Sequence, residues 1–74
     1  MRIVKKATGQ IAEKDSKGFY VCGLKKDDKS KTAYKNFSTI EDAAIWLIEN
    51  PEWGIRMNPN WSLIYGDIAI ERDI

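Results

Sequence analysis

A chain of 74 residues with one cysteine and no histidine suits a single domain with a small core, and it leaves no internal disulfide, no Cys/His zinc site and no nucleophile–histidine pair. Its charge is sorted by position: residues 1–36 carry ten Lys/Arg against four Asp/Glu, a net of +6, and residues 37–74 carry two against seven, a net of −5, so the total of +1 conceals two opposed tracts. Such sorting points to a partner surface more than to a substrate pocket.

No apolar stretch is long enough to span a bilayer, and none follows Met1-Arg2-Ile3-Val4-Lys5-Lys6 as a signal h-region would, so a cytoplasmic chain intact from its first residue is expected, without membrane contact. A core this small stabilises by only about 3–5 kcal/mol. The main reserve is aromatic: three Trp, three Tyr and two Phe, each able to bury roughly 150–250 Å².

Residues 3–8 and 10–14 read as one strand with Gly9 as a bulge or bend, since glycine inside a strand pattern commonly marks one. Asp15-Ser16-Lys17-Gly18 is a turn, in which Asp initiates and Gly supplies the positive φ. Phe19-Tyr20-Val21-Cys22-Gly23-Leu24 has no charge and is rich in strand formers, the pattern of a strand inside a sheet and covered on both faces. A polar hairpin loop follows over 25–30, and 32–37 is the returning strand.

Ser38-Thr39-Ile40-Glu41 carries an S-x-x-E capping box, and Thr39 with Asp42 offers a second cap one residue later. Ile40, Ala43, Ala44, Leu47 and Ile48 follow the spacing of one buried helical face, and Asn50-Pro51 ends the helix. Ile45 points away from that stripe, among Glu41, Asp42 and Glu49, and Trp46 stands at its border. Then come two N-P-x-W turns, Asn50-Pro51-Glu52-Trp53 and Asn58-Pro59-Asn60-Trp61, whose rings either clamp each loop onto the core or form a ligand clamp. Residues 54–57 are placed to pair with 61–64 across the second turn. Ile64, Ile68 and Ile70 alternate with Asp67, Ala69 and Glu71 as a half-exposed final strand with Gly66 as a bulge, and the tail 71–74 reads as frayed.

Catalysis is not expected. Histidine, the usual general base near neutral pH, is absent, and Cys22 lies in the apolar run, where a thiol becomes less acidic and less reactive. The adjacent acids Asp27-Asp28 and Glu41-Asp42 suit solvation and capping, and no phosphate-binding glycine motif is present. No cofactor, metal or small-molecule substrate is anticipated.

Binding chemistry is concentrated in the basic half. Lys14, Lys17, Lys25, Lys26, Lys29, Lys31 and Lys35 fall on the first two turns and the strands flanking them, interleaved with Tyr20 and Tyr34. Lysines so spaced can lie along phosphates, or can simply keep a hairpin solvated and protect an edge strand. Lys predominates over Arg, the residue that forks onto guanine, so backbone contact is favoured over base reading.

The segment 18–49, about 32 of the 74 residues, holds an aromatic-bearing strand (Gly18-Phe19-Tyr20-Val21), a basic hairpin (25–35), an F-x-T junction (Phe37-Ser38-Thr39) and a helix carrying Glu41, Ala43, Ala44 and Trp46. In that order it resembles the three-strand-plus-helix domain of the AP2-like group, known from plant transcription factors and the arm-binding domains of tyrosine recombinases. The resemblance implies DNA contact by the sheet face opposite the helix, formed by either Tyr20, Cys22 and Leu24 or Phe19, Val21 and Gly23.

The expectation is therefore one small α+β domain over residues 1–74, an antiparallel sheet packed on one helix in the order β-β-β-α-β. Its function is expected to be that of a non-enzymatic binding module contacting nucleic-acid phosphates through the seven lysines with Tyr20 and Tyr34. The alternative is a protein-interaction or homodimer module whose interface includes Ile45, Trp46 and Glu49.

Overall fold

A computed structural model describes residues 1–24, 34–58, 63–64 and 66–73. These form β1 (Arg2–Lys5), β2 (Ile11–Ala12), β3 (Tyr20–Leu24), β4 (Tyr34–Phe37), α1 (Ile40–Glu49), β5 (Trp53–Asn58), β6 (Leu63–Ile64) and β7 (Ile68–Glu71). The fold is α+β, but the sheet has seven strands, and the order β-β-β-β-α-β-β-β replaces the expected β-β-β-α-β.

Two of the three added strands arise at glycines, and the third is β5, which lies between the helix and β6. Gly9 has φ +74°, and the chain reverses there: its N–H donates to the Lys5 carbonyl at 2.8 Å, and the Lys5 N–H donates to the Gln10 carbonyl at 2.8 Å. Val4 consequently faces Ile11 across an antiparallel pair. A bulge would have added one residue to a continuing strand; the turn instead makes two strands. Gly66, at φ +68°, likewise separates β6, which pairs with β5, from β7, which pairs with β1. The final segment is thus two strands at different places in the sheet.

The sheet runs β4-β3-β5-β2-β1-β7, with β6 also on β5, and every pairing is antiparallel. β3 lies between β4 and β5, and Val21, Cys22 and Gly23 are buried, as the charge-free run predicted. β5 and β6 pair, as expected of residues 54–57 and 61–64, with Ile55 opposite Ile64 and Arg56 opposite Leu63. The tail is held through Asp73: β7 pairs Glu71 with Arg2, whose side chains form an ion pair, and the Met1 amino group pairs with Asp73.

Of the two helix caps, the structure uses Thr39, whose Oγ1 accepts the Asp42 N–H at 3.2 Å. The helix ends on Asn50, whose N–H donates to the Trp46 and Leu47 carbonyls and whose Nδ2 donates to the Trp46 carbonyl at 2.9 Å. Pro51 follows and cannot continue it. The core joins Ile3, Ala12, Cys22, Ile55 and Met57 of the sheet to Ala43, Ala44 and Leu47 of α1.

Ile48, expected on the buried stripe, is 55% exposed. Two alanines let α1 lie close on β1, β3 and β4, and Leu47 closes that contact. Ile48, about 100° further round the helix, faces the space alongside. Val4 and Val21 are buried but stand apart from the cluster under the helix, as their alternate strand positions require.

Candidate nucleic-acid interface

The first basic turn is built around Asp15. Its Oδ1 accepts the N–H groups of Lys17 at 2.9 Å and Phe19 at 3.0 Å, while the Gly18 N–H donates to the Asp15 carbonyl at 3.0 Å with Gly18 at φ +89°. The Phe19 N–H, more than the nearby Lys17 N–H and the charges of Arg56 and Lys17, holds this carboxyl below its ordinary 3.8 against an opposing desolvation. The turn fixes Lys14 and Lys17 on either side of Asp15, both exposed. A backbone bridge joins Lys14 to Tyr20, and the Lys14 ammonium rests over the Tyr20 ring, 5.6 Å from its centroid. Such a contact contributes about 0.5–1 kcal/mol at an exposed site.

From Tyr20 a row of rings crosses the fold. Tyr20 faces Phe37 across β3 and β4; Phe37 packs on Trp46 of α1 at 5.7 Å between centroids; Trp46 meets Trp53 of β5 edge-on at 4.7 Å. All four rings are half-buried against the core. Lys35, exposed on β4, places its ammonium 5.7 Å from the Trp46 centroid. Two of the predicted lysines therefore sit over this aromatic row, and Lys17 stands in the turn that leads to it. Lys25, Lys26, Lys29 and Lys31 lie outside the described residues, as does the side chain of Tyr34.

The row itself was not anticipated. Trp53, Ile55 and Met57 share one face of β5 by simple alternation, a signal that would have placed Trp53 toward the helix. Trp53 does hold the turn after α1 against Trp46, which is the loop-clamping role offered for the N-P-x-W repeat; Trp61 lies outside the described residues.

Strand alternation also settles which set of β3 residues faces α1. Tyr20 and Cys22 lie on the helix-bearing face with Phe37, Trp53 and Ile55, so Val21 and Gly23 point the other way. There they are joined in register by Asn36 and Gly54, and none of these four carries a charge. Lys35 and Tyr20, by contrast, share the face on which the helix lies.

The proposed interface residues lie along one side of α1, Ile45 and Glu49 one turn apart and Trp46 at the border with the core. Ile45 is 54% exposed and Glu49 is exposed, whereas Trp46 is half-buried within the aromatic row. Beside Ile45, past Ile48, a groove of about 280 Å³ runs toward β7, lined by Leu47, Ile48, Pro51, Trp53, Gly66, Ile68 and Ile70.

Cys22 is fully buried, and burial pushes its thiol up to about 12 from 9.0, so it is a protonated, packed side chain near neutral pH. Among the described residues no group of three or more His, Cys, Asp or Glu side chains is placed to hold a metal, and no helix is long and apolar enough to cross a membrane. No family model, curated protein or solved structure matches the chain.

Proposed function

We propose that this chain is a non-enzymatic binding module that contacts nucleic-acid phosphates through the lysines of its basic half. The observation that carries the reading is the seating of Lys14 and Lys35 over Tyr20 and Trp46. Each ammonium is held over a ring on an exposed side chain, which limits the rotamer freedom that a long side chain would lose on meeting a phosphate. Lys17 and the four lysines of 25–31 extend the same positive tract.

Contact is with the sugar–phosphate backbone rather than with bases in a duplex groove. The far face of β3 offers no lysine among Val21, Gly23, Asn36 and Gly54, Arg56 on the neighbouring β5 is half-buried, and the helix occupies the face that bears Tyr20 and Lys35. The AP2-like resemblance implies contact by the face opposite the helix, so the reading rests on the lysines and not on that resemblance.

Titration of fluorescently labelled duplex DNA, single-stranded DNA and RNA at two salt concentrations tests this. Each neutralised phosphate contributes about −0.9 to the slope of log K against log salt for duplex DNA. Lys14→Glu combined with Lys35→Glu should weaken binding several-fold without unfolding the domain, and Lys25→Glu with Lys29→Glu should abolish it. No binding to any of the three at low salt removes the reading.

A second reading, a protein-interaction module, is favoured by one specific feature. Ile45 and Ile48 expose more than half of their surface on α1 beside an apolar groove, where a monomer gains nothing from isoleucine.

A further inference from the structure

Ile45 and Ile48 stand three residues apart on α1, and the groove between α1 and β7 continues their apolar surface over Leu47, Pro51, Ile68 and Ile70. The charge around this strip is predominantly negative. Glu41 and Asp42 flank it in the first turn, Glu49 and Glu52 at the C-terminal end, and Asp67 on the strand side. Among the described residues, Lys5 stands opposite Ile68 on β1 at one side of it, and Lys35 lies over Trp46 at the other. The last turn of α1 contains no basic residue, so Glu49 adds its charge to the negative end of the helix dipole, an arrangement a nearby cation would relieve.

We propose that the strip docks the apolar face of a short cationic amphipathic helix from another protein, whose Lys/Arg flanks meet Glu41, Glu49 and Glu52. This rests on the protein-interaction reading and names its partner. Ten residues make α1 about 15 Å long, which matches a partner segment of about three turns lying at the usual 8–10 Å spacing. The groove would receive its apolar side chains, as in helix-in-groove recognition. A second copy fits less well. A symmetric contact through α1 sets Glu49 of one copy near Glu49 or near Glu41 and Asp42 of the other, and like charges at an interface are costly. An anionic membrane surface is disfavoured for the same reason.

The test uses the full chain and three synthetic 14-residue peptides: Leu/Lys with all leucines on one helical face, the same composition scrambled so that no apolar face forms, and Leu/Glu in the first pattern. Calorimetry measures affinity, and tryptophan emission reports on Trp53 in the groove. The patterned Leu/Lys peptide should bind about tenfold or more tighter than the scrambled one. Ile45→Ser with Ile48→Ser should abolish that advantage while circular dichroism stays unchanged. Glu49→Lys with Glu52→Lys should move the preference to the Leu/Glu peptide.

Equal affinity for the patterned and scrambled peptides would reduce the attraction to net charge and overturn the proposal. Self-association of the wild type that the two serine substitutions remove would also overturn it, while leaving the protein-interaction reading standing. Absence of both peptide binding and self-association would defeat both.

Discussion

The buried thiol of Cys22 ties the stability of the whole domain to alkaline pH. Its side chain is fully enclosed between the sheet and α1, and burial raises its pKa from 9.0 to about 12. In the unfolded chain the thiol ionises at its ordinary value. A raised folded-state pKa contributes stability that is fully present below the unfolded pKa and is lost as pH rises toward the folded one. The window of loss therefore opens near pH 9 and extends to about pH 12. Each pH unit in this window removes on the order of 1 kcal/mol once the unfolded thiol is mostly ionised, so the loss at pH 10 is about 1 kcal/mol. Against a core that supplies about 3–5 kcal/mol this is a large fraction. Urea unfolding followed by tryptophan emission at pH 7, 8, 9 and 10 measures it, with Cys22→Ala as the reference. The alanine variant is less stable at every pH because it leaves a void, but its difference from wild type should shrink above pH 9. Lysine and tyrosine titrations are common to both proteins and cancel in that difference. A wild type and variant whose stabilities run parallel from pH 8 to pH 10 would refute the enclosed position of Cys22.

Leu47→Ala, which truncates the largest helix side chain in the buried cluster, should cost about 2–5 kcal/mol and unfold much of the domain at 25 °C, whereas Glu49→Ala should stay within about ±0.5 kcal/mol; thermal denaturation by circular dichroism distinguishes them. Thr39→Ala removes the acceptor for the Asp42 N–H and should cost about 1 kcal/mol, while Ser38→Ala should be nearly silent, since the cap is Thr39. The Asp15 turn should loosen in acid: with its pKa depressed, the carboxylate's contribution is present above the ordinary 3.8 and is lost as pH falls through the lower folded value. Amide exchange at Lys17 and Phe19 reports this directly, and Asp15→Ala should speed it at neutral pH as well.

Local signals made several elements readable along the chain. The Asp15–Gly18 turn needs only an acceptor side chain and a glycine at positive φ, both within four residues. The helix is announced by its cap, by Ala43, Ala44 and Leu47 at helical spacing, and by Asn50-Pro51, and the burial of β3 follows from its lack of charge. The sorting of lysines and acids into opposite halves is likewise a property of the sequence alone.

Tertiary structure decided what depends on partners distant in the chain. A glycine at φ +74° or +68° is compatible with either a bulge or a break between strands; the pairing of β1 with β2 makes Gly9 a reversal, and the pairing of β6 with β5 and of β7 with β1 makes Gly66 a break between two strands that run the same way. Helical spacing assigns Ile48 to the same stripe as Leu47, but how close Ala43 and Ala44 bring α1 to the sheet determines where that stripe ends. The aromatic row draws Tyr20, Phe37, Trp46 and Trp53 from four separate elements, and the lysines over it acquire their seats only when β3 and β4 come into register beside α1. Side-chain chemistry is local and can be read from a sequence; the surface it makes depends on long-range packing, which no short window of sequence encodes.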